Sequence, residues 1–369
     1  ALKEQSVIGT EIVVSASRIS ETVLESPVSV EKMDILAVKE TPSANFYEGL
    51  ANLKAVDMTA SSLGFRQINT RGFNSIANTR FVQRIDGMDN QAPGLNFPVG
   101  NIVGISELDV ESVELIPGAA SALYGPNAFN GILNMTSKSP FKYEGVSAQL
   151  KTGMNHIDGK DSNPRPMVEF MARYAKSFNN RVAFKVNASY MQAHDWYASD
   201  TTNVDAFSTK PNPQLYPNDP ARDQLNTYGD EVTKTLGLID TTGGNARNVN
   251  TRVSRTGYRE ADMVDYNTKS LKLDAALHWR ITDKLELAAV SKFGSGTAVY
   301  QGANRYSLSN FTFQQHKLEL TGSNFYVRAY GIIENSGDSY DSRFAAININ
   351  REWKSDSAWF AQYQNYYNG

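Results

Sequence analysis

An alternation of apolar and polar residues with a period of two runs through residues 141–335 and constrains the fold more than any other feature of this 369-residue sequence. Between 182 and 190, every second residue is Val, Phe, Val, Ala or Tyr, and polar residues such as Lys185 and Asn187 lie between them. The pattern predicts antiparallel strands with one apolar and one polar face. About seven strands are expected, at 146–155, 165–177, 181–194, 263–281, 285–298, 303–320 and 324–335.

The lengths and connections of these strands favour a membrane β-barrel over a soluble β-sandwich. Sandwich strands average about five or six residues, and most of these are longer. The turns near residues 179, 283 and 323 are short, whereas 195–262 and 336–369 are predicted to be long loops. Aromatic residues gather near the strand ends, as in an interfacial girdle. The pattern in 303–320 slips phase, which predicts a β-bulge.

Composition excludes several other classes of protein. The chain has no Cys, which rules out disulfide scaffolds, thiolate zinc sites and cysteine nucleophiles. Its net charge of −3 provides no basic field for nucleic acid. No run approaches the roughly 18 apolar residues of a membrane helix. A nucleic-acid partner and a helical membrane protein are therefore not expected.

The first 140 residues have a different texture and predict a compact α+β domain. Ser43 is expected to cap a helix over 44–53, in which apolar residues recur at helical spacing. A second short helix is expected at 119–124. Short strands are predicted at 12–15, 28–33, 55–58, 65–71, 81–85, 110–116 and 132–136.

No pattern in the sequence indicates an enzyme, a metal site or a cofactor. The four His residues fall in four different strands or strand ends, without the spacing of metal ligands. Asp86 and Asp89 flank a Gly, and Asp-Gly is far more typical of a turn than of a catalytic carboxylate pair. No phosphate-binding loop and no nucleophile elbow is present. Catalytic residues, metals and cofactors are therefore predicted to be absent.

Several motifs, in a fixed order, resemble the plug domain of TonB-dependent outer-membrane receptors. They are EIVVSASR at 11–18, TRGF at 70–73, IDG at 85–87, VESVELIPGAASALYG at 110–125 and NGILNMTSK at 130–138. The resemblance implies a plug domain at 11–140 after a flexible segment at 1–10. Residues 141–369 would then be the N-terminal portion of a transmembrane barrel. Barrels of this family have 22 strands, so the chain is expected to be the N-terminal part of a larger receptor.

The resemblance implies a function and a set of partners. Such a receptor lies in the outer membrane of a Gram-negative bacterium, with its plug toward the periplasm and its long loops outside. It binds a large or scarce ligand, such as a siderophore, cobalamin, an oligosaccharide or a peptide. A TonB-type energy-coupling protein then drives import by moving the plug. Outer-membrane lipids surround the barrel, and a surface lipoprotein or other outer-membrane subunits are further candidate partners. The Pro-Gly variant at 117–118 looks like receptors of the Bacteroidetes group.

Three groups of site residues are expected. The short, β-prone segment near the N-terminus can add a strand to the coupling protein, or it is the first plug strand; its residues are Glu11, Ile12, Val13, Val14 and Ser15. Two plug loops are expected to contact ligand through amides and aromatic rings, with Phe73, Asn74, Asn78, Asn90, Gln91, Leu95, Asn96 and Phe97. Arg71 and Arg84 are expected to join the plug to the barrel, with Arg71 paired to carboxylates of the inner wall.

Two other functions fit parts of the pattern. A plug-barrel protein without transport of its own could be a surface subunit of a larger outer-membrane assembly. A soluble carbohydrate-binding β-protein would explain the alternating strands alone. Only a TonB-dependent receptor explains the ordered plug motifs as well.

Overall fold

The computed structural model describes residues 12–13, 21–22, 25–158, 162–204, 219–241 and 246–369. Its first part contains short strands and helices, with 3-10 turns at Leu50–Asn52 and Glu107–Asp109. The strands are β1 (Ile12–Val13), β2 (Glu21–Thr22), β3 (Glu31–Met33), β4 (Val56–Ala60), β5 (Arg66–Thr70), β6 (Phe81–Ile85), β7 (Met88–Asp89), β8 (Gln91–Ala92), β9 (Phe97–Pro98), β10 (Val110–Pro117) and β11 (Gly131–Ser137). The helices are α1 (Ile35–Glu40), α2 (Phe46–Gly49) and α3 (Ser121–Tyr124).

A mixed five-stranded sheet organises this first part. Its strand order is β3-β10-β11-β6-β7, and β11 runs parallel to β6. The helices α1 and α2 cover the sheet and enclose a core of buried residues that includes Phe46, Tyr47, Leu50, Phe81, Ile85 and Leu115. The predicted α+β domain therefore has a hydrophobic core of its own.

The helix expected over 44–53 is shorter than predicted and begins at a different residue. Asn45, and not Ser43, caps α2, because its side chain accepts a hydrogen bond from the Glu48 N–H. The chain tightens into a 3-10 turn after Gly49. A Cβ at Gly49 would lie 2.3 Å from Thr41 Oγ1, so the close approach of Thr41 requires glycine here.

Long strands dominate the rest of the chain and form one antiparallel sheet, here called the wall. The wall strands are, in chain order, β12 (Gly145–Asn155), β13 (Arg165–Phe178), β14 (Val182–His194), β19 (Asn267–Thr282), β20 (Leu285–Gln301), β21 (Arg305–Thr321) and β22 (Tyr326–Asn335). Each pairs with the next, and the bounds lie close to those predicted. The expected phase slip is a register shift between Gly296 and Ala298, opposite Asn310, whose φ is +52°.

The two long connections contain secondary structure that the sequence analysis did not predict. The first contains β15 (Thr227–Tyr228), β16 (Thr233–Asp240), β17 (Arg247–Ser254), β18 (Tyr258–Arg259) and α4 (Glu260–Met263), and the second contains β23 (Tyr340–Asp341), α5 (Ser342–Trp353) and α6 (Asp356–Asn368). Residues 336–369 are therefore largely helical and not an irregular loop. Asp341 and Ser355 cap α5 and α6 through their side chains, and Phe360 packs on the β16–β17 hairpin. The helices were missed because their exposed faces are mixed, so the apolar period is weak.

The wall has two different faces. Side chains such as Arg173, Lys185 and Lys292 are buried against the first domain. Side chains of the opposite face are apolar and exposed, for example Leu277 at 52% and Leu318 at 54%. Among the described residues, no helix is long and apolar enough to cross a membrane.

Candidate functional site

A buried carboxylate of the first domain anchors that domain to the wall. Asp109 lies at the end of a 3-10 turn, is fully buried, and accepts hydrogen bonds from Arg173 Nε and Lys185 Nζ, each at 2.8 Å. Both cations come from neighbouring wall strands and are themselves 3% exposed at the side chain. Charge-assisted bonds of this length, shielded from water, are among the strongest polar contacts in proteins. Asp109 therefore ties the domain to β13 and β14.

The Asp-Gly turn after β6 forms a second ionic anchor. The carboxylate of Asp86 accepts hydrogen bonds from the Ser137 N–H and hydroxyl, at 2.8 and 2.9 Å, and Lys292 Nζ lies 3.3 Å away. Lys317 Nζ donates to the Asp86 carbonyl at 3.0 Å. Burial alone would raise the pKa of Asp86, but the ammonium groups of Lys292, Lys185 and Lys317 hold it well below its usual range. Asp86 is therefore a turn residue, as predicted, and its carboxyl group is ionised at neutral pH.

The expected roles of Arg71 and Arg84 need correction. In the described part of the chain neither guanidinium forms an ion pair with the wall. Arg84 bonds within the first domain, with its Nε 3.3 Å from Asp89 Oδ1, and Arg71 is exposed beside Gly118. The charges are arranged the other way round, because the domain supplies carboxylates and the wall supplies cations. Alternating strands were predicted from the sequence, but their cations were not assigned to a partner.

Aromatic packing joins the two parts at the opposite end of the wall strands. Phe65 stacks on Tyr300 with ring centroids 4.6 Å apart, and Phe97 meets both rings edge-on. These residues share a buried cluster with Phe311 and Phe313 of β21. The ionic and the aromatic contacts together seat the domain against the inner face of the wall.

Between these two ends, the backbone of the domain passes close to wall glycines. A Cβ at Gly296 would lie 3.6 Å from Ile102 Cβ, and one at Gly294 would lie 2.5 Å from Val103 Cβ. Ser270 Oγ donates to the Ile102 carbonyl at 2.7 Å. Glycine in the wall therefore permits a close approach that a side chain would prevent.

Three of the expected ligand residues, Phe73, Asn74 and Asn78, line an open cavity on the first domain. Phe73 is 73% exposed, and with Asn74 it borders a cavity of about 570 Å³. Arg71 and Arg80 lie in the same rim, and the exposed ring of Phe129 lies on its other side. The cavity therefore offers two cationic groups and two aromatic faces, of which only Phe73 was expected to contact ligand.

Three expected ligand residues have little exposed surface, although Asn78 still lines the cavity beside Arg71. Asn78, Asn90 and Phe97 are buried, with exposures of 6%, 0% and 5%. Asn78 uses its amide to bind Asn69 and Asn130, and Phe97 packs on Tyr300. Backbone folding around β8 and β9 turns Asn90 and Phe97 inward, which a turn-rich sequence does not reveal.

The other three expected ligand residues near β8 and β9 are Gln91, Leu95 and Asn96, and they differ in their surroundings. Gln91 donates from its amide to the Phe81 carbonyl at 2.9 Å, so it supports β6. Leu95 lines a second cavity, of about 470 Å³, together with Tyr306 and Glu334. Asn96 is exposed and has a φ of +56°, which an Asn tolerates in a tight turn.

The segment expected to contact the coupling protein is partly described. Ile12 and Val13 pair with β2, and Val13 is fully buried beside Val82 and Ile132. The segment was expected either to contact the coupling protein or to be the first plug strand. The burial of Val13 fits a plug strand. Glu11, Val14 and Ser15 lie outside the described residues.

The structure brings together two His residues that are far apart in sequence. The rings of His156 and His194 are 5.9 Å apart, and both nitrogens of His194 are engaged, one with the Tyr266 carbonyl and one with the Tyr197 hydroxyl. His156 Nε2 lies 2.8 Å from the Asp195 carbonyl. Where the chain is described, no group of three or more metal-ligating side chains is found.

A mixed α/β domain seated on the charged face of a long antiparallel sheet defines the class: a plug domain with part of a barrel wall. Residues 22–132 match the family of the TonB-dependent Receptor Plug Domain. Residues 22–132 are therefore a plug domain of the kind found in TonB-dependent receptors. The TonB-dependent receptors that carry this domain are transporters.

Individual relatives are distant and longer than this chain. The vitamin B12 transporter of Vibrio vulnificus (strain CMCP6) is 28% identical over 151 residues, which cover 38% of this chain and 23% of that protein. A mutant of the ferric enterobactin receptor of Pseudomonas aeruginosa, in complex with enterobactin, has 17% identity and a TM-score of 0.48, over 83% of this chain and 40% of that one. The ferripyoverdine receptor of the Pseudomonas aeruginosa outer membrane has 12% identity and a TM-score of 0.48, over 89% of this chain and 45% of that one. The chain spans less than half the length of each.

Proposed function

We propose that this chain is the plug and part of the barrel of a receptor in the outer membrane of a Gram-negative bacterium, which imports an external ligand with energy from a TonB-type protein. The observation that carries the proposal is the pair of opposite wall faces. One face is apolar and exposed, and the other holds the plug through Asp109 and Asp86. A soluble β-protein has no use for an exposed apolar belt of this extent.

The cavity bordered by Arg71, Phe73, Asn74 and Arg80 is the proposed ligand contact on the plug. Guanidinium groups bind anionic oxygen atoms, and exposed phenyl rings stack on flat or apolar parts of a ligand. A ligand with both features fits better than a neutral sugar. Siderophores, cobalamin and peptides remain within this class. In this orientation the long connections lie outside and the Asp86 turn lies toward the periplasm.

Import requires the plug to move against the wall, and a reversible crosslink tests this requirement. The chain has no Cys, so the pair Ile102→Cys and Gly296→Cys would form a single disulfide. The 3.6 Å between the two Cβ positions suits a disulfide, whose Cβ atoms are usually about 3.5–4.5 Å apart.

We expect the oxidised pair to block uptake of cobalamin or of a ferric siderophore, screened in parallel, and a reductant to restore it. Each single Cys variant controls for damage to the fold. Full uptake by the crosslinked protein would contradict plug movement. It would favour the second function, a plug-barrel subunit of a larger outer-membrane assembly.

A further inference from the structure

The outward face of the wall carries a group of polar residues inside an otherwise apolar belt. The outward residues of β14 and β19 are Val, Phe, Ala, Tyr, Leu and Trp between Val182 and Tyr190 and between Leu271 and Trp279. On β13, Lys176 is outward but lies near the strand end and pairs with Glu144. The two strands β20 and β21 differ. Their outward polar residues, here called the outer polar patch, are Ser291, Ser295, Thr312, Gln314 and His316.

The register of the strands places His316 near the middle of the belt. One cross-strand row joins Trp279 to Leu287 and Leu320, and another joins Tyr190 to Leu271, Ser295 and Thr312. His316 lies four residues from each of these rows along β21. With a rise of about 3.3 Å per residue and a tilt of about 40°, the two aromatic rows are ~20 Å apart, close to the height of an apolar barrel belt.

A depression in the outward face surrounds this histidine. It measures about 690 Å³, and small residues such as Ala275, Ala289 and Ala329 form its floor. Larger side chains, including Phe184 and Leu318, border it. Gly331 pairs with His316 and adds no side chain. The wall is therefore recessed beside Ser291 and His316, two of the five residues of the outer polar patch.

The polar groups of the patch are not satisfied by one another. His316 Nδ1 lies 3.1 Å from Ser291 Oγ, but among the described residues His316 Nε2 and the Gln314 amide have no hydrogen-bond partner. An imidazole or amide without a partner is costly in hydrocarbon, and acyl chains offer no donor or acceptor at this depth. Ionisable residues at such positions are rare and usually functional.

We propose that the outer polar patch is a docking site for a membrane-spanning segment of another outer-membrane protein. The partner would fill the recess with apolar side chains and would present at least one hydrogen-bonding side chain to His316 and Gln314. This inference rests on the proposed function, because the belt must lie in a bilayer.

Site-specific photocrosslinking in the native outer membrane tests the proposal. A photoreactive benzoyl-phenylalanine is placed in the full-length protein at Phe293, which pairs with Gln314 in the patch. The matched control has the photoreactive residue at Tyr174, which is also an outward aromatic residue. Tyr174 lies in the same cross-strand row as His316, and the row passes through Val186, Ala275 and Ser291. A third protein combines the Phe293 position with Gln314→Leu and His316→Leu.

We expect a defined protein adduct from the Phe293 position and only lipid adducts from Tyr174. The adduct should fall at least fivefold in the double Leu variant, and mass spectrometry should locate it in a membrane-spanning segment with a polar side chain. Three results would overturn the docking site: lipid adducts alone from Phe293, a protein adduct that persists in the Leu variant, or an adduct consisting of a second copy of this chain. If Tyr174 gives no lipid adduct, the proposed membrane location itself fails, which is a separate result.

Discussion

The plug is held at its two ends by different physical forces. Near the turns at one end of the wall strands, Asp109 meets Arg173 and Lys185, and further along the strands Asp86 meets Lys292. At the other end, Phe65 and Phe97 pack on Tyr300 and Phe311. Ionic contacts are directional and costly to leave half-made, whereas aromatic packing tolerates small displacements. The contrast suggests a plug that is fixed at its ionic end and can shift at its aromatic end.

The largest effect is expected from Asp109→Asn. The change leaves Arg173 and Lys185 buried without their carboxylate, which typically costs about 3–5 kcal/mol. Hydrogen exchange of β10 and β11 in the detergent-solubilised receptor should therefore rise strongly. Asp57→Asn, on a partly exposed plug strand, is the control. Unchanged protection would mean that the ionic end does not hold the plug.

A smaller loss is expected at the aromatic end from Tyr300→Leu. The variant removes the stacked contact with Phe65 and leaves a partly filled site, at a cost of about 1–3 kcal/mol. Exchange should rise in β8, β9 and the segment around Phe65, and salt should not alter the difference. If hydrogen exchange rose equally in β10, the two ends would be one cooperative unit.

Acid should weaken the ionic end before the aromatic one. The pKa of Asp86 is depressed in the folded protein, so its contribution to stability is present above the unfolded pKa, near 4, and decreases as the pH falls toward the folded value. Between pH 5 and 3 the loss from this residue is about 1 kcal/mol. Asp86→Asn should flatten this part of the stability curve, and an unchanged curve would assign the acid response to other carboxylates.

The smallest effect is expected from Lys151→Gln. Lys151 Nζ lies 2.8 Å from Glu107, but both side chains are partly exposed. Pairs of this kind contribute about 0.2–1 kcal/mol and weaken in salt. Thermal unfolding in low and high salt should differ slightly in the wild type and less in the variant. If the variant lost as much stability as Asp109→Asn, the strength of these ion pairs would not depend on their burial.

Much of the fold was predictable because strand periodicity is a local property of the sequence. The seven wall strands and the bulge opposite Asn310 follow from alternation and its one interruption. The plug motifs predicted a plug domain, which the match over 22–132 confirms. The helices α5 and α6 were not predicted, because their apolar residues are sparse and Phe360 packs on the distant β16–β17 hairpin.

The candidate site was predicted less well, because exposure depends on contacts between distant segments. Phe73 and Asn78 lie in one short loop, yet Phe73 is exposed and Asn78 is buried by Asn69 and Asn130. The partners of Arg71 and Arg84 were assigned by residue type, and the signs of the charges across the interface proved to be reversed. A polar residue on an alternating strand gives no indication of the partner it will meet.

By itself, the sequence determined the alternation of the wall, the order of the plug motifs and the absence of thiol chemistry, since each is a property of near neighbours or of composition. Only the tertiary structure decided which side of the plug meets Lys185 and Lys292, which loop residues border the cavity beside Arg71, and where the outer polar patch lies. The physical reason is that burial and ion pairing are set by segments tens to hundreds of residues apart. Their register is fixed only when the strands are paired and the plug is seated.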